Sequence, residues 1–270
     1  ADSDLVTWRQ GRSSPWDGAR SGPSVGGVTY WALAEIVKAE AGILGNDTAD
    51  RVGRRLSRVV DHAMADDPAS VERVIGHLRG LVGEGDGAPV QPGRREDAFT
   101  AWRRFLYGLA ARRPLVLVLE DLHWADDALL DFVQELLEPT GLPGRARPAA
   151  PLLVVATARP ELLARRPGWG DAGTSVALEL EPLSEGDTGH LLETLLSHHR
   201  LPSSVGPALL AAAGGNPLFA EEYVRMVRDR HLMPQGDAPG APGAVGASHG
   251  LPLPETVHAI IAARLDALPA

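Results

Sequence analysis

The chain has 270 residues, 44% of them apolar and 23% charged, proportions that argue against wholesale disorder or a fibrous architecture and allow one large domain with a smaller companion. Its net charge is −9, from 35 acids against 26 bases, and nearly every base is arginine, Lys38 being the lone lysine; that balance argues against an extended nucleic-acid face. There is no cysteine, which rules out disulfide scaffolds, thiolate metal sites and cysteine nucleophiles. No apolar run approaches the roughly 18 to 20 residues of a membrane span, and the first residues lack the pattern of a secretory leader, so a cytoplasmic location without a membrane partner is expected. The opening Ala1-Asp2-Ser3-Asp4 has no initiator methionine, and a piece of a longer chain is expected.

In chain order, Leu5 to Gln10 alternates as a short strand, and Gly11 to Gly27 reads as a Gly/Pro/Ser loop. Val28 to Ala41 carries Trp31, Leu33, Ala34, Ile36 and Val37 at helical spacing, with Gly42 as a stop. Asp47 to Met64 and Ser70 to Val82 also read as helices, and Gly83 to Gly93 as a loop. From Arg94 the apolar positions Phe99, Trp102, Phe105, Leu106 and Leu109 form one face of a helix ending before Pro114. Leu115 to Leu119 is an unbroken branched apolar run, the pattern of a strand buried on both faces of a parallel sheet, and it ends in Glu120-Asp121. Asp126 then caps a helix through Leu129, Phe132, Val133, Leu136 and Leu137. Pro139 to Pro151 is a linker, and Leu152 to Thr157 a second buried strand, so strand, helix and strand make a parallel crossover unit.

Val176 to Leu180 is expected to be a further strand, closed by Pro182. Ser184, with Asp187 three residues on, reads as a capping box opening a helix through Leu196. Another helix is expected from Ser204 to Ala213, stopped by Gly214-Gly215, and Asn216-Pro217 supplies a cap and a first-turn proline for a helix running to Arg230. Gln235 to Gly250 is an Ala/Gly/Pro linker without apolar period, and Pro254 to Leu268 a final helix.

Ligands of open parallel sheets bind outside the carboxyl ends of the strands, where Glu120 and Asp121 fall. Successive residues leaving a strand are expected to point to opposite sides, so that one carboxylate holds magnesium, usually through water, while the other faces an attacking water. That is the Walker B arrangement of nucleoside triphosphatases; a strand that simply ends in solvated acids would read the same way. The second strand ends in Ala156-Thr157-Ala158-Arg159-Pro160, which brings a hydroxyl and a guanidinium to the same edge. The planar, permanently charged Arg159 suits a terminal phosphate and also fits a surface turn. Gly214 to Leu218 needs no ligand to be understood as a helix stop and restart. His123, close to Asp126 and Asp127, matches no strong metal signature and is better read as orienting its loop. His198-His199 reads as a solvated helix end.

Taken together, Leu117 to Asp126, Ala156 to Pro160 and Gly215-Asn216-Pro217-Leu218-Phe219 resemble the ATPase domain of bacterial STAND-type regulators, which are AAA-related signal-transduction ATPases. Thr7 to Arg12, the Tyr30 to Gly42 helix and Arg159 to Gly170 further resemble the ATPase module that follows a class III adenylate or guanylate cyclase domain. LuxR-type transcription regulators share the Walker B block. The resemblance implies a P-loop-NTPase-like α/β fold, a parallel sheet with flanking helices followed by a small helical lid, and ATP or ADP with magnesium as ligands. It implies that Glu120 is the magnesium-binding acid, Asp121 the acid that orients or activates water, Arg159 the sensor of the terminal phosphate, with Thr157 beside it, and Pro217 the proline next to adenine. The chain departs from that family in one respect. The lysine-bearing Gly-x-x-x-x-Gly-Lys-Ser/Thr loop occurs nowhere in the 270 residues, and with it would come the backbone nest and lysine that hold phosphates.

The expected organisation is a partial nucleotide-binding core over 1–182, lacking the first strand and phosphate loop, a helical lid over 183–233, a linker over 234–250 and the start of a further helical domain over 251–270. The expected function is a fragment of an ATP-dependent switch that regulates an attached output domain such as a nucleotide cyclase. The partners would be ATP and other domains of the same polypeptide, with no direct nucleic acid. ATP hydrolysis would belong to the complete protein, and this chain by itself is expected to bind ATP weakly. Two alternatives are a nucleotide-independent interaction module with relic acids and the ATPase part of a LuxR-type regulator.

Overall fold

The computed structural model describes residues 5–15, 30–83, 92–137, 150–171, 175–196 and 205–229. The linker expected over 234–250, the helix expected from Pro254 and His198-His199 lie outside them. By its internal contacts the chain divides into two units, residues 1–177 and 178–270.

In the first unit, β1 (Thr7–Arg12) is followed by helices α1 (Trp31–Ala41), α2 (Ala49–Ala63), α3 (Val71–Val82) and α4 (Pro92–Arg112). Then come β2 (Leu115–Glu120), a 3-10 turn at Leu122–Trp124, α5 (Asp127–Leu137), β3 (Leu152–Ala156) and the short α6 (Glu161–Arg165). The strands form one parallel sheet in the order β1-β2-β3. The sequence thus predicts β2 and β3 to within a residue. It ends β1 two residues early, because Gly11 looks like loop chemistry but serves packing. A β-carbon on Gly11 would overlap the Ala32 carbonyl, so glycine lets the first turn of α1 lie directly on the strand.

One face of the sheet is deeply buried. Leu115, Leu117 and Leu119 of β2 pack into a core shared with α1 to α5. An aromatic cluster closes that core, with Tyr30 edge-on to Trp102 at 4.8 Å and Phe99 edge-on to Phe132 at 5.2 Å, the geometry aromatic quadrupoles favour. Burial pushes the Tyr30 hydroxyl up to about 12. Two arginines lock the helices: Arg95 of α4 and Arg166, just after α6, both grip Asp131 of α5. Burial raises the Asp131 carboxyl, but the hydrogen bonds from these two guanidinia outweigh it and hold it low.

The opposite face is different. Period-two alternation puts Trp8, Gln10 and Arg12 of β1 on the same side as Leu153 and Val155 of β3. Trp8 is 61%, Leu153 55% and Val155 40% exposed. On the middle strand Val116 of this face is only 7% exposed, so the exposure belongs to the flanking strands, and β3, expected as a buried strand, is open on this side although parallel sheets are ordinarily covered on both faces.

Val176 to Leu180 corrects an expectation. The stretch is extended in sequence character but joins no strand ladder, and Val176, Leu178 and Leu180 are almost fully exposed. Alternating apolar residues express a capacity to pair, and a strand forms only when a neighbouring backbone accepts its hydrogen bonds.

The second unit contains α7 (Glu185–Leu196), α8 (Val205–Ala213) and α9 (Pro217–Asp229), packed through Leu192, Leu196, Leu209, Ala213, Ala220, Tyr223 and Val224. The capping signals read from sequence operate here. Ser184 Oγ accepts the Asp187 N–H at 3.1 Å and donates to the Asp187 carboxylate at 2.6 Å, a reciprocal box closed through the hydroxyl. The Asn216 side chain accepts the Leu218 N–H at 3.0 Å.

Leu117 and Leu153 test the contrast between the two faces. Leu117 is 1% exposed, and Leu117→Ala should cost about 2–5 kcal/mol in urea unfolding. Leu153→Ala should stay within about 0.5 kcal/mol. Equal costs would mean that both faces of the sheet are covered.

Candidate functional site

Parallel register brings three strand ends to one edge. Arg12 stands opposite Glu120, and Leu119 opposite Ala156, so Thr157 follows directly beside Glu120. The ladder continues one step past the strands: the Ser13 N–H donates to the Glu120 carbonyl at 2.9 Å and the Thr157 N–H to the Leu119 carbonyl at 3.0 Å. The edge is therefore held by backbone bonds on both sides of β2.

Asp121 then leaves the strand abruptly, with φ 58° and ψ 39°. It is the one non-glycine residue with positive φ among the described residues. Aspartate tolerates this left-handed conformation better than most side chains, and Thr157 secures it. The Thr157 hydroxyl accepts the Asp121 N–H at 3.1 Å, and the Thr157 carbonyl accepts the Leu122 N–H at 2.9 Å. Arg165 holds the following turn by donating to the carbonyls of His123 at 3.3 Å and Ala125 at 2.7 Å.

The turn overturns the expectation that the two carboxylates diverge. Both face one guanidinium: Arg12 Nη2 lies 2.6 Å from Glu120 Oε2, and Arg12 Nε lies 3.6 Å from Asp121 Oδ2. Alternation to opposite sides holds only while the backbone stays extended, and Asp121 has already left that region. The Arg12 hydrogen bond, followed by one from Gln10, holds the Glu120 carboxyl below the usual carboxylate range. The same contact raises the Arg12 guanidinium. Glu120 is thus an anion at neutral pH.

Thr157 lies at the edge, with its hydroxyl oxygen engaged by Asp121. Arg159 lies two residues further on, where its carbonyl accepts the Leu162 N–H at 3.0 Å at the start of α6. Its exposed side chain has no hydrogen bond or ion pair among the described residues. Pro217 belongs to the second unit, as the first residue of α9. Both ring nitrogens of His123 are buried without a hydrogen-bond partner among the described residues, and its ring lies 4.9 Å from that of Trp124. No cluster of three metal-capable side chains occurs among the described residues.

The sequence alone gives no site role to Arg12, which falls in the loop expected from Gly11 to Gly27, or to Gln10 at the end of the expected strand. The available signal was that β1, being parallel to β2, must end at the same edge; the register that puts Arg12 opposite Glu120 is not written in either strand alone. Arg165 was missed because five-residue helices leave little periodic trace.

Chemically, the edge offers hard carboxylate oxygens suited to magnesium. The ionised Glu120 fits such a cation. For phosphates, the described residues offer the free guanidinium of Arg159, while the lysine-bearing glycine loop is absent from the sequence.

Two measurements check this geometry. Asp121→Ala should cost about 1 kcal/mol through the left-handed backbone, with Asp121→Gly close to neutral; an equal cost in urea unfolding would show that the backbone is unstrained there. In a carbon-detected NMR titration, the Glu120 carboxyl should protonate below the ordinary glutamate range. Because its folded value is depressed, its contribution to stability is present above the unfolded value and is lost as pH falls through the folded one. Arg12→Ala should move the Glu120 carboxyl upward, and an unchanged value would exclude Arg12 as the cause.

A family model described as an AAA ATPase domain matches residues 19–155, about half of the chain, including β2 with Glu120 and Asp121 and most of β3. A curated protein of Rhizobium meliloti (strain 1021), named "Uncharacterized protein R02095", is 30% identical over 200 residues, which cover 72% of this chain and 18% of that protein. The chain thus spans less than a fifth of the length of the relative it matches. No solved structure matches it. With strand-end acids on a parallel sheet inside the matched segment, the chain belongs to the AAA ATPase domain family.

Proposed function

We propose that the chain is the partial ATPase module of a STAND-type signal-transduction switch, in which ATP and ADP favour different packings of core and helical lid and thereby regulate an attached output domain such as a nucleotide cyclase. The observation that carries this reading is the Glu120-Asp121 pair at the carboxyl end of the middle strand, held by backbone bonds from both neighbouring strands and facing one guanidinium. The length of the relative, of which the chain covers 18%, supports a multidomain setting.

In this proposal Glu120 holds the magnesium ion of the nucleotide, directly or through water. Magnesium, when bound, neutralises phosphate charge. Asp121, fixed by its turn and by Thr157, orients the attacking water and accepts its proton. Arg159, uncommitted among the described residues, reads the terminal phosphate, and Pro217 at the start of α9 packs beside the base. A switch of this kind responds only to the difference in affinity between its two states, so hydrolysis acts as a timer.

The test uses a complete module that includes a phosphate-binding loop. Asp121→Asn keeps a side chain that tolerates the left-handed backbone, so it should slow turnover by about 10² to 10⁴ with nucleotide binding largely intact. Glu120→Gln should instead weaken magnesium-dependent binding in calorimetry. Negligible effects of both substitutions would overturn the assignment and leave the acids as a solvated strand end.

A further inference from the structure

The guanidinium of Arg12 occupies the space a cation would need. It bonds Glu120 through Nε at 2.8 Å and Nη2 at 2.6 Å and lies 3.6 Å from the Asp121 carboxylate. A fork within reach of two carboxylates offsets one of their two negative charges, where a divalent ion would offset both. It is not a packed structural arginine: its side chain is 63% exposed, so rotation away from the acids meets little steric resistance. A second anion is also close at hand. The Glu35 carboxylate of α1 accepts the Arg12 backbone N–H at 3.0 Å, and its charge adds to those that stabilise the guanidinium. The neighbouring Arg9, by contrast, is committed to Glu40 of α1 at 2.7 Å.

We propose that Arg12 is an internal counter-ion that closes the Glu120-Asp121 pair at rest and must be displaced, toward Glu35, before a divalent cation can bind there. The inference rests on the reading of Glu120 as a metal-binding acid. Arg12 then acts as a positioning residue: it sets the threshold for metal entry without touching nucleotide. The contact is solvent-exposed, so its effect is small, as for other exposed ion pairs.

The experiment is a titration with manganese alone, read by the loss of the free-ion paramagnetic resonance signal, on the 270-residue chain and three variants. Arg12→Ala should bind manganese about two- to fivefold more tightly than the parent chain. Arg9→Ala removes one positive charge from the same strand but not from the acids, and should leave the affinity unchanged. Arg12→Ala combined with Glu120→Gln should lose the gain. As an independent readout, magnesium should shift the side-chain Nε–H resonance of Arg12 in the parent chain, and Glu120→Gln should abolish that shift. Equal manganese affinity in the parent chain and Arg12→Ala, or an equal gain in Arg9→Ala, would overturn the counter-ion while leaving the metal-acid reading intact. Glu120→Gln without effect in the Arg12→Ala background would overturn both. Far-ultraviolet circular dichroism of each variant identifies any that fails to fold; should Arg12→Ala do so, Arg12→Gln, which keeps a donor at the Nε position without the charge, takes its place with the same expected gain.

Discussion

Everything at the candidate site depends on the hydrogen-bonded register of β2 with its two parallel neighbours. Leu115 to Leu119 bury one face in the common core, which fixes where the strand lies. The ladders to β1 and β3 then fix where it ends. A shift of one residue would turn the buried leucines toward the open face and carry Glu120 away from Arg12. Apolar burial and strand pairing therefore position the polar edge, although none of the edge residues contributes much burial itself.

From that edge the chain makes one turn that converts two successive acids into a pair. An extended Asp121 would project away from Glu120. In the left-handed conformation, held by the Thr157 hydroxyl and carbonyl, it lies within reach of the same guanidinium. The strain of a non-glycine residue in this region, about 1–3 kcal/mol, is offset by hydrogen bonds that need no ligand. The acid pair is thus preformed, with the Arg12 guanidinium as the cation beside it.

Much of this was legible in the sequence, for identifiable reasons. The run Leu115-Val116-Leu117-Val118-Leu119 can be little other than a buried parallel strand, and the structure ends that strand at Glu120 as read. The caps at Ser184 and Asn216 are local chemistry, and local chemistry survives translation into structure. What could not be read was what depends on two segments at once. The Arg12-to-Glu120 contact joins residues 108 positions apart through a register set by packing. The convergence of the two acids depends on one backbone angle. Val176 to Leu180 failed as a strand because pairing needs a partner that its own alternation cannot supply.

The most direct test of this account is a crystal structure of a complete module, phosphate loop included, with magnesium and a non-hydrolysable ATP analogue. The account predicts magnesium held by Glu120, either directly at about 2.1 Å or through one water, with the Arg12 guanidinium turned away from both acids and Asp121 still in its left-handed turn. A bound nucleotide whose metal lies elsewhere, with the Arg12-to-Glu120 ion pair intact, would contradict it.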